Sequence, residues 1–97
     1  MQVKIHSVQF KADVKLENFI EEKLGKLNNY YDQILGSEVF LKLENTNEPA
    51  NKITEIRLSI PGNDLFAKKQ SKTFEEATDQ AVEALRRQIR KHKDKVK

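Results

Sequence analysis

The fold is decided by the segment ITEIRLSIPGNDLFAKKQSK, residues 53–72. In its first eight residues apolar and polar side chains alternate, which places Ile56, Leu58 and Ile60 on one face of a strand. Residues 61–64, Pro-Gly-Asn-Asp, have the composition of a tight turn, and residues 65–72 can then pair back as a second strand. The segment therefore predicts an antiparallel hairpin with one buried face.

Two further strands precede this hairpin. In residues 38–44 the apolar side chains expected on the buried face are Val39, Leu41 and Leu43, which alternate with Phe40 and Lys42. Residues 2–10 begin as a strand, but the alternation breaks at Val8, so we expect this strand to end or bulge near Ser7. The polar residues 44–51 between the second and third strands predict a mobile loop.

Two amphipathic helices flank the strands. Asp13 is a good N-cap for a helix that runs to about Tyr30. Thr73 is the predicted N-cap of a second helix, with Glu76 completing a capping box. The first helix is expected to bury Leu16, Phe19, Ile20, Leu24, Leu27 and Tyr31. The apolar stripe of the second contains Phe74, Ala77, Thr78, Ala81, Val82, Leu85, Ile89 and Val96.

The order β-α-β-β-β-α predicts a single α+β domain over residues 1–97. The meander of three strands is antiparallel, and the first strand joins it in parallel after a helical crossover. We expect a two-layer sandwich, in which two helices cover one face of a four-stranded sheet. The opposite face should stay exposed, with candidates Lys4, His6, Lys42 and Arg57.

Basic charge is concentrated at one end of the second helix. Residues 86–97 carry seven Lys or Arg and one acid, a net charge of +6, whereas residues 1–85 carry 11 basic and 14 acidic side chains, a net charge of −3. The cations on the outer side of this helix, over roughly 16 Å, are Arg86, Arg87, Arg90, Lys91, Lys93 and Lys97. One to three turns earlier the same side carries Glu75, Glu76, Asp79 and Glu83. On the first helix, Lys15, Lys23 and Lys26 share one flank.

Two interpretations of this helix end are open. Acids near the N-terminus and bases near the C-terminus suit the helix macrodipole, so the pattern can be a solvated surface that serves stability alone. One or two cations would satisfy that need, however, and seven repel one another unless a polyanion is close. The second interpretation is therefore binding to nucleic-acid phosphates.

Other classes of function lack the residues they require. The chain has no Cys, which removes thiolate nucleophiles and Cys-based zinc sites. His6 lies on a strand without a catalytic partner, and His92, between Ile89 and Val96, is expected to pack at the end of the core. We expect no enzymatic activity, cofactor, metal or small-molecule substrate. Without a signal peptide or apolar span, a cytoplasmic protein with no membrane contact is expected.

Two stretches carry a family resemblance: EKLGKLNNYYD, residues 22–32, and RQIRKHKDK, residues 87–95. With these motifs, the chain resembles the ribosome hibernation promoting factor family, which includes the ribosome-associated inhibitor called protein Y. The resemblance runs the full length of the family's short form, so we expect no C-terminal dimerisation domain of the kind that long members carry. It implies a fold similar to double-stranded RNA-binding domains.

The resemblance also implies a function and a set of site residues. Family members act in stress and stationary phase, occupy the mRNA and tRNA channel of the small ribosomal subunit, and use basic residues of both helices against rRNA. Carried over to this sequence, those residues are Lys23, Lys26, Arg87, Lys91, Lys93 and Lys95. Arg86 and Arg90 are expected to add contacts, because they are basic here where relatives often are not.

The leading hypothesis is thus a ribosome-binding translation inhibitor whose partner is the small-subunit rRNA. The alternative is a protein-interaction module whose basic helix docks on an acidic partner surface. A small enzyme of the same α+β class is a third and weaker hypothesis. Co-sedimentation with ribosomes separates the first two.

Overall fold

The computed structural model of the protein describes the backbone of residues 1–95 and the side chains of residues 1–94. Its elements are β1 (Gln2–Ser7), α1 (Val14–Tyr30), β2 (Gly36–Leu43), β3 (Lys52–Ile60), β4 (Asn63–Ser71) and α2 (Phe74–Lys95). The predictions made for Val96, for Lys97 and for the side chain of Lys95 lie outside the described residues. The predicted order β-α-β-β-β-α is confirmed.

The four strands form one mixed sheet in the order β1-β2-β3-β4. β1 pairs in parallel with β2, and the other two pairs are antiparallel. The parallel pair follows from the α1 crossover, while short connections allow the other strands to reverse direction. β1 ends at Ser7, where the break in alternation predicts its end.

The hairpin between β3 and β4 turns through two residues, Pro61 and Gly62, because Ile60 pairs with Asn63. Proline presets a negative φ at the first turn position, and glycine accepts the positive φ that a type II turn requires at the second. Gly62 has a φ of 79°. The predicted antiparallel hairpin is confirmed.

Both helices begin at the predicted N-caps. The backbone N–H of Leu16 donates to Asp13 Oδ1 over 2.8 Å, and the N–H of Glu76 donates to Thr73 Oγ1 over 3.0 Å. Within the described residues the backbone N–H of Thr73 does not donate to the Glu76 carboxylate, so only half of the predicted capping box forms. Each cap satisfies one of the donors that a helix N-terminus leaves unpaired.

The core lies between the helices and one face of the sheet. Its fully buried aliphatic side chains are Ile20, Leu24, Leu27, Val39, Leu41, Ile56, Leu58, Leu85 and Ile89. The hydroxyls of Thr54 and Thr78 are buried there, 3.3 Å apart, and they satisfy each other's hydrogen-bonding need. At the edge of the sheet, Gln88 Nε2 donates to the carbonyl oxygen of Phe66 over 2.8 Å and joins α2 to β4.

Burial departs from the sequence prediction at Leu43 and Phe19, and Ile53 is buried where the sequence analysis makes no prediction. Leu43, expected inside, is 43% exposed because it is the last residue of β2, where the polar loop begins. Phe19 is only partly buried, since it lies at the border of the apolar stripe with Lys23 Nζ 5.4 Å from its ring centroid. Ile53 alternates onto the outer face and is nevertheless buried there.

Exposure of the outer sheet face is confirmed at three of the four predicted positions, and Lys42 is only partly exposed. Lys4, His6 and Arg57 are exposed. The His6 ring stacks on Phe40 with centroids 4.9 Å apart, and His6 Nε2 lies 2.9 Å from Glu38 Oε2.

Candidate nucleic-acid interface

The two helices run in the same direction, side by side. Lys23 of α1 reaches Asp79 of α2, with 3.0 Å between Nζ and Oδ1, and further along both helices the guanidinium of Arg86 lies 5.0 Å from the ring centroid of Tyr30. The C-terminal halves of α1 and α2 are therefore neighbours. This arrangement brings the two groups of cations predicted from sequence onto one surface.

This surface, called here the helix surface, is formed by Lys23, Lys26, Arg86, Arg87, Arg90, Lys91 and Lys93. Arg87, Arg90 and Lys91 are exposed and make no ion pair within the described part of the chain. Lys95, the eighth predicted site residue, ends α2, and its side chain is outside the described set. The surface thus presents positive charge that neighbouring acids do not neutralise.

Three of the predicted cations do have acidic neighbours. Of the three, Lys23 makes the most contacts: it contacts both Asp79 and the Phe19 ring, and its side chain is 30% exposed. The other two contacts are long: 3.8 Å for Lys26 with Glu22 and 3.9 Å for Arg86 with Glu83. Exposed pairs of this kind contribute only about 0.2–1 kcal/mol, so a phosphate can replace the carboxylate.

The helix macrodipole explains only part of this charge. Its effect falls off within the last turn, roughly four residues. Arg86, Arg87 and Arg90 lie before the last turn of α2, which ends at Lys95, and Lys26 lies before the last turn of α1. The macrodipole therefore does not explain the positions of these four cations.

Lys69 borders the helix surface and was missed by the sequence interpretation. Leu65 and Ala67 of β4 are buried on the helix side of the sheet, and Lys69 continues that alternation. It lines an open cleft together with Lys23, Asp79 and Arg87. Counting in steps of two from Leu65 would have separated Lys69 from Lys68, which lies on the outer face.

A second open cleft of about 450 Å³ separates the C-terminal ends of the helices. Its lining residues are Asn29, Tyr30, Tyr31, Asp32, Gln33, His92 and Lys93. His92 is partly buried and meets Tyr31 edge-on, with centroids 6.1 Å apart, which agrees with the predicted packing role. The contacts of Arg86 and Lys93 with the ring of Tyr30 were not predicted from sequence.

Two other kinds of site are absent from the part of the chain that the structure describes. No three His, Cys, Asp or Glu side chains among residues 1–95 come together in a way that could hold a metal ion. Within the same residues, neither helix is long and apolar enough to cross a membrane.

Comparison with known proteins identifies the family. A family model described as "Sigma 54 modulation protein / S30EA ribosomal protein" matches residues 3–97. The chain belongs to this family. The S30EA ribosomal protein family supports a ribosome-associated hibernation role, and it is not a family of known enzymes.

A relative agrees with this assignment, and two solved structures share the fold. The chain is 30% identical over 95 residues to a ribosome hibernation promoting factor of Pseudomonas putida, covering 98% of this chain and 89% of the relative. A ribosomal subunit interface protein from Coxiella burnetii has the same fold, with a TM-score of 0.86, 19% identity, and coverage of 97% of this chain and 99% of that one. The N-terminal domain of Thermus thermophilus protein Y matches with a TM-score of 0.81 and 24% identity, over 95% and 99% of the two chains. The fold of this S30EA member is therefore shared by solved structures.

Proposed function

We propose that this chain is a non-enzymatic hibernation factor that binds rRNA of the small ribosomal subunit and occupies the channel used by mRNA and tRNA. The observation that supports this most is the helix surface, where Arg87, Arg90 and Lys91 have no ion pair within residues 1–94. Family membership and the resemblance of the two helix motifs add to it. In this proposal the protein acts in the cytoplasm, during stress or stationary phase.

The mechanism is occupancy. Lysine and arginine neutralise rRNA phosphates and release counterions, while the folded body fills space that mRNA and tRNA require. The contacting residues would be Lys23, Lys26, Arg86, Arg87, Arg90, Lys91, Lys93 and Lys95. Phosphate contacts position a protein without reading sequence, so specificity must come from the fit between the domain and the shape of the ribosome.

Co-sedimentation with purified small subunits tests binding, and a cell-free translation assay tests inhibition. The protein should pellet with empty small subunits, and prior loading of the subunits with mRNA and initiator tRNA should prevent this. Large subunits at the same concentration serve as the control. Equal pelleting with loaded and empty subunits would place the binding site outside the channel. A protein that pellets with neither subunit would favour the acidic protein partner.

A further inference from the structure

Tyr30, the last residue of α1, joins two cations of α2. The guanidinium carbon of Arg86 lies 5.0 Å from the centroid of the Tyr30 ring, and Lys93 Nζ lies 4.6 Å from it. Both cations belong to the helix surface. No other aromatic ring within residues 1–94 is contacted by two cations of that surface.

The ring of Tyr30 counteracts the repulsion between two closely spaced cations of the helix surface. Arg86 and Lys93 are two turns apart on one face of α2, and the separation of their charges cannot exceed the sum of their distances to the ring. The negative face of an aromatic ring attracts cations, which counteracts the repulsion between them. It also restricts two long side chains that would otherwise lose conformational freedom when they bind a phosphate.

Other contacts hold these two side chains only weakly. Arg86 has one long ion pair, 3.9 Å from Glu83, and Lys93 has none within residues 1–94. The Tyr30 hydroxyl donates or accepts none of the side-chain hydrogen bonds in the same residues. Tyr30 therefore contributes to the helix surface through the contacts of its ring with Arg86 and Lys93, and not through its hydroxyl.

We propose that Tyr30 is a positioning residue that holds Arg86 and Lys93 in the orientation in which they contact rRNA phosphates. The inference rests on the proposed function, since it needs an RNA ligand at the helix surface. Tyr30 acts through the two cations, and no direct contact between its ring and RNA is required. Its aromatic character should therefore matter, whereas its hydroxyl should not.

The test is a double-mutant cycle on binding to small subunits at physiological salt. Tyr30→Phe and Tyr30→Trp keep a π face and should bind like the unsubstituted protein. Tyr30→Leu should weaken binding roughly three- to tenfold, the size expected from one or two exposed cation–π contacts. In a chain that already carries Arg86→Gln and Lys93→Gln, the same Tyr30→Leu change should alter binding less than twofold.

A second measurement does not need the ribosome. In proton NMR spectra of the free protein, ring currents should shift the side-chain methylene signals of Arg86 and Lys93, and the shift should persist in Tyr30→Phe and disappear in Tyr30→Leu. Tyr30 also packs against the core, so thermal unfolding of each variant is followed in parallel. If Tyr30→Leu does not fold, the NMR comparison of the Phe and Trp variants, with the larger indole ring giving the larger shift, keeps the contact testable.

The outcomes separate the inference from the proposed function. Normal binding by folded Tyr30→Leu, together with weak binding by the Arg86→Gln, Lys93→Gln chain, overturns the positioning role and leaves the site intact. A Tyr30→Leu loss that is equally large in that double-Gln chain also overturns it, because Tyr30 would then act independently of the two cations. Normal binding by the double-Gln chain itself contradicts the proposed function at these residues.

Discussion

The two broad surfaces of this domain both carry several cations, but they arrange the acids differently. On the outer sheet face, each cation has a carboxylate nearby: in the strand register Lys4 and Arg57 flank Glu38, and Lys68 faces Glu55. Lys42 Nζ lies 2.9 Å from Glu55 Oε2. Along α2, four of the five acids lie in the first half of the helix, and all the lysines and arginines lie in the second half.

If the helix surface binds rRNA as proposed, the separation of cations from acids, and not the number of cations, distinguishes the binding surface from the outer sheet face. Alternating charges on neighbouring strands largely cancel beyond a Debye length of about 8 Å at physiological salt. Charges segregated along a helix add up to a field that attracts a polyanion. The following predictions remove progressively fewer contacts from the helix surface.

Salt should have the largest effect, because it acts on all phosphate contacts together. With about six contacts, the log–log slope of affinity for isolated rRNA fragments against salt should be near −4 to −5, a loss of roughly 250- to 1,000-fold between 50 and 200 mM. Filter binding over that range measures it. A flat dependence would indicate an apolar protein interface and remove the basis for comparing the two surfaces by charge.

Exchange of four cations of α2 should come next. With Arg87, Lys91, Lys93 and Lys95 all changed to Gln, the domain should stay folded, with at most about 1 kcal/mol of stability lost through the macrodipole. Binding to small subunits should fall roughly 100- to 1,000-fold, and inhibition of cell-free translation should disappear.

The outer sheet face supplies the matched control for this exchange. Changing Lys4, Lys42, Arg57 and Lys68 to Gln removes the same number of positive charges. We expect binding within about threefold of the unsubstituted protein, since the remaining effect is long-range and screened. Equal losses in the two quadruple variants would mean that net charge alone controls binding.

Changing both Lys23 and Lys26 to Ala should remove two of the proposed contacts with rRNA phosphates. Binding should weaken roughly 10- to 30-fold. Stability should change by less than about 1 kcal/mol, because the ion pairs of these lysines are exposed. Leu27→Ala is the control for folding: it empties a fully buried position and should cost about 2–5 kcal/mol in chemical denaturation. Unfolding of the double lysine variant would show that the α1 flank is structural.

The smallest effect is expected at the border between acids and cations. Asp79→Asn removes the carboxylate beside Lys23 and should tighten binding about two- to fivefold, at a cost in stability of under about 1 kcal/mol. Glu75→Gln, in the first turn of the same helix, is the control for the change in charge. Equal tightening in the two variants would mean that Asp79 does not specifically restrain Lys23.

Local signals in the sequence were sufficient for most of the fold. The caps at Asp13 and Thr73, the Pro61-Gly62 turn and the strand alternation each depend on neighbours within a few residues, so they could be predicted. The exposure of Leu43 and the burial of Ile53 depend on which distant elements cover them, which periodicity does not show.

The candidate site was predictable in composition but not in geometry. Charge counting identified the basic end of α2, yet the contacts of Tyr30 with Arg86 and of Lys23 with Asp79 join residues far apart in the chain. They follow from the parallel course of α1 and α2, which is a consequence of sheet topology. Lys69 was within reach of sequence analysis, because the alternation of β4 already assigns it to the helix side.

The hydrogen bond from Gln88 to the Phe66 carbonyl has a consequence for aggregation. β4 is an edge strand of nine residues, and such an edge offers unpaired backbone groups to any other extended chain. Gln88 occupies one of those acceptors, and Lys68 and Lys69 add charges that disfavour the approach of a second strand. The helix that carries most cations of the helix surface therefore also protects this edge of the sheet from self-association. Gln88→Ala should leave RNA binding intact and increase aggregation on storage.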